Sequence, residues 1–186
     1  MALGDEAPEV PADLKLWARP LRNWPRMVSV RAALAAGWLA YPAWSQDPDT
    51  VVDRLTEVDV QAAERVLLAV ETWLGAPTEE NASCAKTATH AVSGWYMPAG
   101  CFEAVGGTVW TKNPTGAAHL EIALTFAALV TSDAEVRAAV TAALLPWALG
   151  HHDPVLARVQ ARQAAAESQH GVTATQADSA TPKEAP

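Results

Sequence analysis

The spacing of apolar residues constrains the fold more than any other feature of this chain. Apolar side chains recur at every third or fourth position through almost all of the sequence between its two polar ends. This spacing places them on one face of an α-helix, whereas a half-buried strand needs strict alternation. The clearest stripe, in DVQAAERVLLAVETWLGAP at residues 59–77, consists of Val60, Ala63, Leu67, Val70 and Leu74. The sequence therefore predicts an all-α protein.

Caps and polar residues within residues 59–77 predict where this helix ends and which face meets water. Asp59 can cap its start, and Gly75 followed by Pro77 ends it. The side opposite the apolar stripe is polar, which indicates a helix that lies on a core with one wet face. The residues predicted on this wet face are Gln61, Glu64, Arg65, Glu71 and Thr72.

Prolines predict where several other helices begin and end, because proline fits the first turn of a helix and breaks a hydrogen bond in its interior. We expect Pro25 to open a central, Ala-rich helix that Pro42 stops. We expect Pro146 to kink or end a later helix. Asp153 followed by Pro154 predicts the cap and first position of the last one.

Two further helix starts carry capping residues. Thr78 is a suitable cap, and Ser132 with Glu135 forms a capping box. Between them, the aromatic-rich stretch SGWYMPAGCFEAVGGTVW, residues 93–110, predicts a turn followed by a helix from Pro98 to about Val105. The glycine pair that follows either ends this helix or allows a close helix crossing.

The chain of 186 residues is long enough to bury one hydrophobic core. We predict a single compact domain of six or seven helices over residues 17–166. Residues 1–16, which are acidic, and residues 167–186 are predicted to be disordered tails, because neither has enough apolar side chains to offset the entropy cost of ordering. Residues 46–58 are predicted to form a short helix or turn.

Charge and hydropathy exclude two classes of partner. Lys and Arg number 13 and Asp and Glu 21, which gives a net charge of −8 and disfavours nucleic acid and anionic lipid as partners. Four arginines between residues 19 and 31 are too few to reverse this expectation. The N-terminus lacks the basic and apolar segments of a signal peptide, and the longest apolar run, residues 120–130, is shorter than the roughly 20 residues that span a bilayer. We therefore expect a cytoplasmic protein without membrane insertion.

The spacing of cysteine and histidine predicts neither a disulfide nor a metal site. Cys84 and Cys101 are isolated, whereas small zinc sites use paired ligands. On antiparallel helices these cysteines would be staggered by roughly 9 Å, beyond the ~7 Å that a disulfide allows between α-carbons. The alternative metal ligands are His151, His152 and Asp153, although roles at helix ends already account for these residues. We therefore expect two free thiols and no cofactor.

No complete catalytic motif occurs in the sequence. The chain lacks a phosphate-binding loop, a dinucleotide glycine pattern, a nucleophile elbow and the metalloprotease His-Glu-x-x-His spacing. His119 and Glu121 match only the first half of a zinc deaminase signature. The rival interpretation is a small enzyme or ligand-binding protein centred on Glu103, His119 and Glu121. We expect Glu103 to lie on the wet side of a short helix instead.

Tryptophans supply the main indication of function. The chain has eight Trp against two Phe and two Tyr, and several Trp lie at predicted helix ends or in loops. Trp at exposed edges is enriched at protein interfaces. The protein-binding surface predicted on this basis consists of Trp17, Trp24, Arg26, Arg31 and Trp44. The alternative is that these Trp residues dock loops within the molecule.

Residues 28–150 also resemble a known family in the order of their features. The matching pieces are PTEEN at residues 77–81, PAG at residues 98–100 and Trp110, and the chain departs from the pattern at residues 101–103. These pieces are similar to those of an uncharacterised bacterial domain-of-unknown-function family of small, Ala-rich helical proteins. Relatives are often encoded near type VI secretion components, so the resemblance implies an accessory role there and supplies no catalytic residue. We therefore predict a non-catalytic accessory or adaptor protein that binds another protein, with its oligomeric state left open.

Overall fold

The computed structural model describes residues 14–23, 25–46, 57–92, 97–110 and 116–165. Over these ranges the chain forms eight α-helices and one 3-10 helix, without a strand, and the all-α prediction is confirmed. The α-helices are α1 (Leu14–Ala18), α2 (Arg26–Gln46), α3 (Glu57–Gly75), α4 (Glu79–Ala91), α5 (Met97–Trp110), α6 (Ala117–Val130), α7 (Asp133–Ala148) and α8 (residues 154–165). The 3-10 helix is Arg19–Asn23.

Helix α2 is the centre of the fold, as its Ala-rich composition predicts. It contacts α3, α5, α6 and α7, and its small buried residues let these helices approach closely. Gly37 marks the tightest point: a β-carbon there would lie 2.8 Å from Leu67 on α3 and 3.0 Å from Val105 on α5. Small residues on α2 therefore set the distance between the central helices.

The prediction that Pro42 stops α2 is wrong, because the helix continues to Gln46. Proline removes one backbone hydrogen bond, but Pro42 is exposed, so its ring does not disturb the core. Beyond it, Trp44 is 2% exposed and packs edge-on against Phe102, with ring centroids 5.6 Å apart. The burial of this large side chain stabilises the last turn.

The glycine pair does not end α5, which runs on to Trp110. A β-carbon on Gly106 would lie 1.9 Å from the Thr89 hydroxyl of α4, and one on Gly107 would lie 2.2 Å from the His119 ring of α6. The second alternative drawn from the sequence is therefore correct. Two neighbouring helices pack directly on the bare backbone of α5.

Three predicted caps are confirmed, but the prediction that Asp59 caps its helix is wrong, because α3 already begins at Glu57. Thr78 accepts a hydrogen bond from the backbone N–H of Asn81, and Ser132 accepts one from Glu135. Asp153 accepts from the backbone N–H groups of Val155 and Leu156, at 3.0 and 3.3 Å, and so caps α8. These contacts satisfy N–H groups that the first turn of a helix leaves unpaired.

Several predicted boundaries differ from the structure or lie outside its described ranges. Residues 14–16 were assigned to the N-terminal tail, but α1 begins at Leu14. Helix α7 continues two residues past Pro146. Residues 1–13, 47–56 and 166–186 lie outside the described ranges, so the predicted tails and most of the predicted turn at 46–58 stay predictions. No helix in the described ranges has the length and apolar character needed to cross a membrane.

Candidate functional sites

Two residues of the predicted protein-binding surface lie in the core instead. Arg31 is 1% exposed and Trp44 is 2% exposed, so neither can contact a partner on this fold. Arg26 is half-buried and donates a hydrogen bond to the carbonyl of Val109 at 2.9 Å. Trp17 packs partly buried against the core, and Trp24 lies outside the described residues. The alternative that the Trp residues dock within the molecule therefore holds for Trp44.

Arg31 is buried because it pairs with Asp153. Two of its nitrogens lie 2.6 and 2.8 Å from the two carboxylate oxygens, and its guanidinium stacks 4.7 Å from the centre of the Trp147 ring. This bidentate pair links α2 to the start of α8, 122 residues later in the chain. Residue spacing does not predict this pair, because the matching carboxylate lies far from Arg31 in the sequence.

Asp153, the only carboxylate among the alternative metal ligands, is already bound by Arg31. Both oxygens of Asp153 bind Arg31, while His151 and His152 are exposed on the preceding turn. In the part of the chain that the structure describes, no three His, Cys, Asp or Glu side chains are arranged to hold a metal ion. His151, His152 and Asp153 therefore form a helix connection whose only buried charge is already neutralised.

The Asp153 pair predicts how stability depends on pH. Burial raises the pKa of the Asp153 carboxyl, but hydrogen bonds from Arg31, Leu156 and Val155 outweigh it and hold the pKa below its ordinary value of 3.8. The stabilisation is therefore complete above the unfolded-state pKa of about 3.9 and is lost as the pH falls through the lower folded-state pKa. We expect the difference in unfolding free energy between the wild type and Asp153→Asn to be largest above pH 5 and to shrink towards pH 2.5.

Urea unfolding at a series of pH values measures this difference. Asn can still cap α8 and accept from Arg31, so the substitution removes mainly the negative charge. A difference that stays constant between pH 5 and pH 2.5 would show that the charge of Asp153 does not stabilise the fold.

The sequence-based prediction for Glu71 is wrong. It was predicted on the wet face of α3, but its side chain is fully buried. One carboxylate oxygen accepts from Trp38 Nε1 at 2.8 Å and from Arg158 Nε at 3.1 Å, and the other pairs with Arg162 Nη2. Burial of a carboxylate requires such partners, and here they come from α2 and α8.

Glu71, Trp38, Arg158 and Arg162 form what we call the Glu71 cluster. One feature of the sequence indicates part of this cluster. Arg158 and Arg162 are four residues apart, so they lie on the same face of α8. They are the only charged residues between positions 154 and 165. An unneutralised arginine pair on a helix face indicates a carboxylate elsewhere in the fold, although it does not identify which one.

An open groove lies next to the Glu71 cluster, between α2, α7 and α8. Its volume is about 540 Å³. The walls are mainly apolar, with the guanidinium groups of Arg158 and Arg162 at one side. The lining residues are Ala35, Trp38, Leu39, Ala139, Ala142, Ala143, Pro154, Arg158 and Arg162.

The residues of the rival enzyme interpretation do not form a reactive centre. Glu103 is exposed on α5, as predicted. Burial lowers the pKa of His119, and the negative charge of Glu103 partly opposes this effect. His119 packs beside Trp110, with ring centroids 6.4 Å apart, and Glu121 lies two positions further along α6, on a different side of the helix. The geometry provides one largely neutral imidazole and no activated nucleophile.

Both cysteines are free thiols, as the sequence argument expects. Cys84 is exposed, whereas Cys101 is fully buried and its thiol faces the carbonyl of Ala123 at 3.7 Å. Burial raises the pKa of Cys101 far above its usual range, so this thiol stays protonated and unreactive.

The surface of α6 carries an apolar stripe that the sequence analysis did not single out. Its members are Ala118, Ile122, Thr125 and Leu129, which follow each other at intervals of four, three and four residues. Ile122 is 43% exposed and Leu129 is 58% exposed, and the stripe contains no charged residue. The sequence predicts α6 as an apolar helix, but only the packing reveals which of its sides the described residues leave exposed.

No family model matches this chain, and neither the curated proteins nor the solved structures include a significant match. The residues themselves are therefore the basis of any functional assignment.

Proposed function

We propose that this protein is a non-catalytic adaptor that binds an amphipathic helix of a partner protein on the exposed stripe of α6. The observation that supports this most strongly is the stripe itself. A surface helix of a globular protein normally turns charged side chains towards water, and a helix that is apolar all round is normally buried. Between Ala118 and Leu129 the exposed positions of α6 are Ala118, Ile122 and Leu129, and none of them is charged, which suits a helix covered in a complex.

The spacing of the stripe favours a helix as the occupant. Apolar residues at alternating intervals of three and four form the seam along which two helices pack knobs into holes. Here Ile122 and Leu129 provide large side chains, while Ala118 and Thr125 leave room for large side chains of a partner. Peptide helices that dock on such surfaces present anchors at the same intervals.

A neighbouring helix enlarges this surface. Helix α1 contacts α6 and exposes Leu16, whose side chain is 51% accessible. Trp17, a member of the surface predicted from sequence, lies on the same short helix and is partly buried. The proposed interface therefore retains Trp17 from the surface predicted from sequence, whereas Arg31 and Trp44 lie in the core and are not part of it.

The remaining polar groups support a role without catalysis. The buried charges of Glu71, Arg31 and Asp153 are each used in ion pairs that hold helices together. The resemblance to the family encoded near type VI secretion components makes those components the first partners to test.

The test compares a double substitution on α6 with a single substitution on α7, and each change replaces an exposed apolar residue by Glu. The partner is first recovered by affinity copurification from the native host and then titrated in purified form. We expect Ile122→Glu with Leu129→Glu to weaken binding at least tenfold, because central apolar anchors dominate interface energy. Leu145→Glu on α7, where the side chain is 52% exposed, serves as the matched control and should change binding less than twofold.

Two results would contradict the proposal. One is a partner whose affinity is unchanged by the double substitution on α6 while circular dichroism shows intact helices. The other is a partner whose cross-linked segment, mapped by mass spectrometry from a photoreactive residue at position 122, is not helical.

A further inference from the structure

We propose that the groove between α2, α7 and α8 binds a medium-chain aliphatic carboxylate, with its chain along the alanines and its head group on Arg158 and Arg162. This site is separate from the stripe on α6 and does not depend on the proposed adaptor role. Three features of the groove support this proposal: its size, its apolar walls, and the excess positive charge of Arg158 and Arg162 at one side.

The dimensions suit a small ligand. A volume of about 540 Å³ lies within the range of roughly 300–1,000 Å³ that is typical of ligand sites. Ala139, Ala142 and Ala143 of α7 form one wall and keep the groove wide, because no longer side chain fills it. Trp38 and Leu39 of α2 form the other wall. An aliphatic chain matches these surfaces because they offer few hydrogen-bonding groups.

The charges at one side favour an anionic head group. Arg158 and Arg162 carry two positive charges, and among the described residues Glu71 is the only carboxylate paired with them, so one positive charge remains. The structure shows one Arg158 nitrogen and one Arg162 nitrogen engaged with Glu71. Each guanidinium has further N–H donors, and both side chains are 41–50% exposed. A carboxylate can therefore accept from both arginines while Glu71 stays in place.

Glu71 also fixes the arginines before a ligand arrives. Its fully buried carboxylate is held by Trp38 Nε1, whose indole ring belongs to the groove wall. The two guanidinium groups are therefore held at the groove by a carboxylate attached to the core. Groups that are already in position lose less conformational entropy when the ligand binds.

Isothermal titration of the full chain with dodecanoate, below its micelle concentration, tests the inference. We expect saturable binding of one molecule, at least tenfold tighter than binding of dodecanol, which has the same chain and no charge. Hexanoate, with the same head group and a shorter chain, should also bind at least tenfold more weakly.

Two variants locate the site. Ala142→Phe should abolish binding by filling the groove, and its effect on folding should be small because Ala142 is exposed. Arg162→Gln should weaken dodecanoate binding at least tenfold but leave dodecanol unaffected. Arg65→Gln, which removes an exposed arginine of α3 outside the groove, is the matched control and should leave binding unchanged.

The proposal is overturned if dodecanol binds as tightly as dodecanoate, if Ala142→Phe retains full affinity, or if no saturable heat is measured. Because none of these ligands or variants involves α6, such a failure would leave the adaptor proposal intact.

Discussion

Replacement of both Arg158 and Arg162 by Ala is expected to lower the unfolding free energy by about 3–5 kcal/mol, the usual cost of leaving a buried charge without its partners. The cause is Glu71 rather than the arginines. Its side chain is fully buried, and only Trp38 would remain to donate a hydrogen bond to it among the contacts described above. Since the arginines are about half exposed, their own removal from the surface costs little.

Urea unfolding followed by circular dichroism measures this loss, and a third substitution identifies its origin. Glu71→Gln in the double-arginine variant replaces the stranded charge with a neutral amide that still accepts from Trp38. We expect this triple variant to recover at least half of the lost free energy, because burial of an amide costs far less than burial of a charge. Arg65→Ala, at an exposed position of α3, should change stability by no more than about 0.5 kcal/mol.

If the double-arginine variant loses less than about 1 kcal/mol of unfolding free energy, the ion pairs of Glu71 contribute no more than ordinary surface ion pairs. It would then follow that water reaches Glu71 in solution and that α8 is held mainly by its apolar contacts. Those contacts are modest in number, with Val155 and Val159 the buried side chains of α8. The expected result instead shows that the ion pairs of Glu71 with Arg158 and Arg162 make a major contribution to holding α8 against the other helices.

Gly106→Ala is expected to destabilise the protein by about 1–3 kcal/mol, the range found when an extra methyl group overfills a core. The new β-carbon would lie 1.9 Å from the Thr89 hydroxyl oxygen, well inside contact distance. Thr89 cannot easily turn away, because it is buried, is β-branched and donates to the carbonyl of Ala85 at 2.7 Å. Helices α4 and α5 must therefore separate.

A compensating substitution tests whether this contact is the cause. Thr89→Ala removes the hydroxyl that meets the new β-carbon, and we expect it to restore part of the stability when combined with Gly106→Ala. Gly75→Ala is the matched control: its β-carbon would meet nothing closer than Val159 at 3.4 Å, so stability should stay constant or rise by up to about 1 kcal/mol. Thermal and urea unfolding of the four proteins provide the comparison. Equal losses in the single and double variants would exclude the Thr89 contact as the cause.

The fold class could be predicted because the features that favour a helix involve residues that are close together in the sequence. The stripe of α3, the cap at Thr78 and the capping box at Ser132 each involve residues within one or two turns, and each occurs as predicted. Pro42 shows the limit of this reasoning. Its local cost is real, but the burial of Trp44 against Phe102, which is 58 positions away in sequence, offsets it.

The candidate sites could be predicted much less well. A polar residue on a helix is assigned to water by default, and this rule failed for Glu71 and for Arg31, which are both buried in ion pairs. The arginines that neutralise Glu71 lie 87 and 91 positions later in the chain. Likewise, the exposed stripe on α6 is hard to distinguish in sequence from the buried side of this helix, because both consist mainly of apolar residues.

The sequence by itself determined that this protein is helical, where most described helices begin, and that its cysteines do not pair, because these properties depend on residues close together in the chain. The tertiary structure alone decided which face of each helix is covered, which charges meet, and where an open groove and an uncovered stripe remain. These outcomes arise from contacts between helices far apart in sequence, and burial free energy outweighs local preference wherever the two conflict.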